Sequence, residues 1–350
     1  MGASTAISGA QVQPEPTIYN TLAHGHQAHT GVRSRVATRG TRLLPSILFI
    51  IQIIQLRLPM QNSSSGAPAR PSHAVGAADQ EATLIPQVGW HFLHLFFRVD
   101  RVALARLSSQ ERGLVRQRFV EALRPSGETS PAQIQCFAMV GHKADLGIMM
   151  AGPDLTALHR VQLDLQSDVL APILNCTYSF YSITEISEYV PDVEAYGRIL
   201  RDREKMDPEG SIYKTRMTQY ASRLEAMNRQ RLYPEFPDWP CVCFYPMNKM
   251  RVGPDQNWYL IPFEERMEMM ADHGKSGMKF GGKVSQVITA STGLDDWEWG
   301  VTLWAKNPLF LKEIVYTMRF DRASAQYAEF GPFYPGYLLS PEELVTQIRL

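Results

Sequence analysis

Tyr245, Met247 and Lys249 stand two apart in the run 241–249. In an extended chain successive side chains alternate faces, so a redox-capable phenol, a soft thioether and a cation line one surface. A half-buried strand aromatic followed by a solvated strand end would give the same pattern. Pro246 offers no N–H to a sheet ladder, so this strand is expected at an edge or with a bulge there. Further on, His273 and Gly274 close a methionine-rich helix expected over 262–273. The pair reads in two ways. His273 is either a cation at a helix C-terminus with Gly274 as its left-handed cap, or an axial iron ligand of the kind haem proteins take from histidine.

Other chemistries find less support. His91 and His94 are three apart on a strand, so they face opposite ways and do not chelate one metal. Gly277, Gly281 and Gly282 follow no strand in a βαβ setting, so they do not support a phosphate loop. His142 and His159 read as surface residues, and no Ser/His/Asp order stands out. Cys136, Cys176, Cys241 and Cys243 form no CxxC pair. Four cysteines in a chain of this length are neither a disulfide framework nor a zinc site, and they fit a reducing cytoplasm.

These residues need a fold to position them. The 350 residues are 45% hydrophobic and 20% charged, enough for one large or two ordinary domains with a real core. Formal net charge is zero, which leaves no basic field for nucleic acid or an anionic membrane. Residues 1–85 differ from the rest. They carry six arginines and no lysine, are rich in small and polar residues, and hold an apolar run at 43–58 broken by Pro45, Gln52 and Gln55. That run is shorter than the roughly 20 residues needed to span a bilayer. Residues 1–85 are therefore expected to be a disordered or mis-started extension, with Met60 as an alternative start.

Beyond it, strands are expected at 90–99, 133–141, 145–151 and 178–187, with helices at 103–123 and 153–169. The order is β-α-β-β-α-β. Residues 239–350 repeat it, with strands at 240–249, 283–291 and 298–305, helices at 262–273 and 308–316, and a last segment from Thr317. The expected class is α+β: two tandem ferredoxin-like (βαββαβ) units, 86–190 and 239–350, joined by a connecting segment at 191–238 and packed edge to edge into one barrel with helices outside.

A series of loose motifs then narrows the reading: FYPMNK at 244–249, NWY at 257–259, HG at 273–274, Gln286, TGLDDWEWGVTL at 292–303, YTMRFD at 316–321 and YAEFG at 327–331. In this order the chain resembles the chlorite dismutase family, and within it the coproheme decarboxylases. The likeness is strong from about 231 to 337 and weaker from 88 to 190. It implies a dimeric α+β barrel and a peroxide-dependent oxidoreductase. The reaction would remove two propionates from iron-coproporphyrin III (coproheme), both substrate and redox cofactor, to give haem b. It would be the last step of a coproporphyrin-dependent haem pathway.

By the same resemblance His273 is the proximal iron ligand, Tyr245 the radical relay, and Lys249 a residue that positions or deprotonates propionates. Met247 lines that wall. Arg231, Arg319 and Ser324 match propionate-binding positions, and Gln286 sits at the distal position. Chlorite-degrading relatives have arginine there, so Gln286 speaks against that activity. Met250, Trp297 and Trp304 depart from the pattern and leave the rim open. Three other readings stand beside this one: a different, peroxidase-like haem enzyme of the family, a non-catalytic haem carrier, and a haem-free interaction module. Uncovered sheet edges in each half, together with the resemblance, suggest a homopentamer. Transient contact with a coproporphyrin ferrochelatase would fit such a step.

Overall fold

The computed structural model describes residues 82–127 and 130–350. The extension expected over 1–85 lies almost wholly outside the described residues, as do its apolar run and Met60.

The first βαββαβ unit runs through β1 (His91–Val99), α1 (Arg101–Arg106), α2 (Ser109–Ala122), β2 (Gln133–Met139), β3 (Leu146–Gly152), α3 (Leu155–Leu165) and β4 (Leu174–Thr184). All of β1 is buried except Arg98, as a strand covered on both faces should be. The single helix expected at 103–123 is two. Ser108 accepts the Glu111 N–H on its hydroxyl while the Glu111 carboxylate accepts the Ser108 N–H, a capping box that restarts the helix. Asp154, one residue after Pro153, caps α3 through the Thr156 N–H at 2.8 Å.

The connection carries α4 (Val193–Arg198), a π-helical turn at Ile199–Arg203, and α5 (Ser211–Leu232). The second unit follows: β5 (Cys241–Lys249), a small hairpin of β6 (Arg251–Val252) and β7 (Gln256–Asn257), α6 (Phe263–Met278), β8 (Val284–Ala290), β9 (Trp299–Ala305), α7 (Pro308–Met318), α8 (Arg322–Tyr327), β10 (Ala328–Phe330) and β11 (Tyr334–Leu339). α9 (Pro341–Gln347) then returns to pack on the first unit beside α2.

The strand order explains why two units make one barrel. The first unit lies in the order β2-β3-β1-β4, and the second repeats it as β8-β9-β5 followed by β11 and β10. Each outer strand then pairs with the other unit: β4 with β8 through Ile183 and Ala290, and β2 with β11 through Cys136 and Leu339. The ring closes. The outer edges that had suggested assembly are thus paired within the chain, and edge exposure gives no reason for an oligomer.

Pro246 is also not at an edge. β5 pairs with β9 along one side, and along the other with β11 as far as Phe244 and with β10 from Met247. Pro246 falls at the gap between those two partners, where its missing N–H costs no ladder bond. Its carbonyl still accepts the Gly331 N–H at 2.9 Å.

Alternate side chains fill the barrel. Phe92, Phe96, Phe137, Phe180, Phe244, Tyr334 and Trp304 form its interior, and Trp304 Nε1 donates to Gln135 Oε1 of the other unit at 3.0 Å. Gly300 makes room. A Cβ there would lie 2.5 Å from the Phe180 ring. His94 sits among these aromatics with Nε2 2.9 Å from Thr302 Oγ1, and its Nδ1 has no partner among the described residues. Such burial disfavours the charged ring and pulls its pKa down to about 3. The outer faces are covered by helices, α2, α3 and α9 on the first unit and α7 on the second. Among the described residues no helix is long and apolar enough to cross a membrane.

Candidate functional site

α6 starts after Pro262, with Glu264 and Glu265 in a first turn where the helix dipole favours acid. It does not stop at His273. The helix continues through Gly274 to Met278, and Gly274 has no positive φ. The reading of His273 as a C-terminal cation beside a glycine cap is therefore overturned.

His273 is held instead from across the chain. Its Nδ1 lies 2.9 Å from Asp321 Oδ2 and 3.2 Å from Ser324 Oγ, while Asp321 Oδ1 accepts the Ser324 N–H at 2.9 Å and caps α8. Burial works to raise the Asp321 carboxyl, but bonds from His273 and Ser324 outweigh it and hold the group below the ordinary carboxylate range. An ionised Asp321 takes the proton side of Nδ1, which leaves Nε2 as the lone-pair nitrogen. No described residue bonds to Nε2, and the side chain is 25% exposed. Ser324, expected at a propionate, has its hydroxyl on the histidine ring.

The sheet face under α7 carries the oxidisable residue. Tyr245, Val301 and Ile288 stand in register across β5, β9 and β8. Cys243, Leu303 and Gln286 form the next row, so Gln286 shares the face of Tyr245 two strands away, about 10 Å across the sheet. Tyr245 is 8% exposed. Phe333 stacks on its ring at 4.5 Å and Phe330 meets it edge-on at 5.7 Å. Its hydroxyl makes no hydrogen bond among the described residues. Burial pushes this phenol well above its ordinary pKa, Cys243 adds to the shift, and the Arg319 charge works against it. Met247 packs in the same cluster.

Lys249 has its own set of neighbours. The strand ends here, and the side chain packs on the α6–α8 side, with Nζ 4.1 Å from the Trp258 ring centroid and 3.5 Å from the Ala323 carbonyl oxygen. Burial lowers its pKa to about 8, against the pull of the Asp321 and Glu298 carboxylates. Period-two alternation had put Tyr245 and Lys249 on one surface. The neighbours differ along the strand: Tyr245 meets Phe330 and Phe333, and Lys249 meets Trp258 and Met270.

Two further cations were expected at propionates. Arg231, near the end of α5, directs Nε at the Glu185 carbonyl oxygen 3.4 Å away. Glu185 follows directly on β4, and its Oε1 accepts from Trp299 Nε1 at 3.4 Å. Arg319, at the exposed end of α7, lies over the Phe330 ring at 5.5 Å. Asp321 and the phenylalanine pair around Tyr245 were missed by sequence reasoning. An aspartate three residues before Ser324 signals a helix start, but nothing local in the sequence places it against His273.

An iron porphyrin suits this donor set. One imidazole nitrogen is held by a carboxylate, which leaves the other for a metal.

Comparison with known proteins agrees on the family. The chlorite dismutase family profile matches residues 112–339. A Natronomonas pharaonis protein provisionally named as haem-binding is 38% identical over 259 residues, which is 73% of this chain but 40% of that protein. The chain thus spans about two fifths of that relative's length. A solved structure described as a novel haem-binding protein from Thermus thermophilus is 36% identical, with a TM-score of 0.59, covering 75% of this chain and 96% of that one. A chlorite dismutase from Candidatus Nitrospira defluvii shares the fold at 14% identity, with a TM-score of 0.56 over 76% of this chain and 97% of its own. The chain belongs to the chlorite dismutase family.

Proposed function

We propose that His273 Nε2 binds the iron of coproheme and that the protein converts this substrate to haem b. The observation that carries the reading is the His273–Asp321 pair, which fixes one ring nitrogen and frees the other in mid-helix. When bound, the iron supplies with hydrogen peroxide the oxidising power of the reaction. For each propionate the balance is one carboxyethyl group and one peroxide giving one vinyl group, one carbon dioxide and two waters.

Tyr245 is the residue that passes this oxidation on. Having given its phenolic hydrogen to the oxidised haem, it would take a β-hydrogen from the propionate, and the second electron would pass back to the haem as the carboxylate leaves as carbon dioxide. A hydroxyl without a hydrogen bond on a largely buried ring suits that task, since no partner has to be broken. Arg231 and Arg319 anchor carboxylates, and Met247 and Gln286 line the sheet side. The position of Lys249 supports a role in setting the charge of the Asp321–His273 pair, beside the propionate role implied by resemblance. Gln286 disfavours chlorite breakdown, and a homopentamer belongs to the same reading.

A carrier is the second reading, because both relatives of similar sequence are named for haem binding alone. One experiment separates the two. Purified protein is mixed with iron-coproporphyrin III, peroxide is added, and the visible spectrum and product masses are followed. Two successive losses, each of carbon dioxide plus two hydrogens, are expected. Binding without mass loss leaves the carrier, and no Soret shift at all removes the haem reading.

A further inference from the structure

Arg266 lies in the first turn of α6 and is 5% exposed. Its Nε has no hydrogen-bond partner among the described residues, and the guanidinium forms no ion pair among them. The group facing it is the Phe263 ring, 5.6 Å from the guanidinium carbon. The neighbouring Glu265 turns to Arg322 at 2.5 Å instead. A guanidinium nitrogen taken out of water without a partner is costly, and native proteins rarely keep one without use.

Its place in the fold suggests that use. Arg266 precedes His273 by two helical turns, so both project from one side of α6, about 10 Å apart along the axis. That distance is comparable to the reach of a porphyrin with a propionate arm. Arg266 also acts electrostatically on the Tyr189 hydroxyl, while Arg231 contacts Glu185. Two guanidinium groups therefore border the same short stretch that follows β4.

We propose that Arg266 is a substrate-binding residue that takes one carboxylate of the tetracarboxylate porphyrin. The inference rests on the haem reading above. Its guanidinium fork is the group suited to a buried carboxylate. The residue would thus select porphyrins by a peripheral acid group.

The test compares wild type with Arg266→Met and Arg266→Lys. Thermal unfolding without ligand is measured first, followed by titration with iron-coproporphyrin III read at the Soret band. Arg266→Met should bind about tenfold more weakly or worse, yet melt no lower than wild type, since it removes a buried guanidinium nitrogen that has no partner. Arg266→Lys should recover much of the affinity. Binding within twofold of wild type by Arg266→Met would overturn the proposal. If that variant fails to fold, Arg266→Lys decides: its affinity should fall with added salt as wild type's does, and an affinity insensitive to salt in both proteins overturns the proposal. Absence of a Soret shift in wild type would instead defeat the parent reading.

Discussion

The Nδ1 atom of His273 and Oδ2 of Asp321 lie 2.9 Å apart, although 48 residues separate them in the chain. This contact decides which ring nitrogen is free. Asp321→Asn should therefore weaken coproheme binding about 10- to 100-fold and shift the ferric spectrum. His273→Ala should do at least as much. An Asp321→Asn protein with wild-type affinity and spectrum would show that the carboxylate does not orient the ligand.

Tyr245→Phe keeps the ring that Phe333 and Phe330 grip and removes only the hydroxyl. Coproheme affinity should change by less than about 1 kcal/mol, because the hydroxyl makes no hydrogen bond to lose. With peroxide, neither a three-propionate intermediate nor haem b should accumulate. Haem b formed at a near wild-type rate would overturn the role given to Tyr245 and leave the family unaffected.

His94 predicts how the fold answers acid. Its pKa is depressed to about 3 in the barrel, against 6.5 for an unperturbed ring. The unfolded chain then binds more protons than the folded one between those values. The stability is fully present above pH 6.5 and is lost as pH falls toward 3. The slope contributed is about 1.4 kcal/mol per pH unit within that window. Urea unfolding at pH 7, 6 and 5 should show it, and His94→Leu should flatten it. Equal slopes in the two proteins would contradict the assignment.

Gly300→Ala tests how tightly the barrel is filled. The added methyl would meet the Phe180 ring at 2.5 Å, and Phe180 is fully buried. A loss of about 1–3 kcal/mol is expected, read as a lower urea midpoint with an unchanged m-value. A variant as stable as wild type would mean that the interior has slack.

Much of the architecture was legible because its signals are local. Apolar runs marked β1, β3 and β5, and the repeated strand–turn–strand–proline–helix pattern revealed two equivalent halves. The misreadings came where one residue answered to a distant partner. Pro246 looked like an edge marker, but the gap it requires is supplied by the bend between β10 and β11. Gly274 looked like a helix cap, yet α6 runs on past it. The break at Ser108 was visible as a capping box and went unread. Tyr245 and Lys249 share a strand face by alternation, but the contacts of Lys249 with Trp258 and the Ala323 carbonyl come from packing that no local pattern shows. Asp321 and Arg266 had no local signature, since what defines them is the presence or absence of a partner in space.

The closure of β2 against β11 sets a demand on folding. Gln133 to Met139 must wait for residues 334–339 before that edge is satisfied, and β4 must likewise wait for β8. Contacts of such long sequence separation require expensive loop closure early and reward it late, which favours slow, cooperative folding. During synthesis the first unit emerges with two unpaired strand edges, and they stay exposed until the second unit arrives. Either half produced alone should self-associate through those edges, so the two units make one folding unit in time as well as in space.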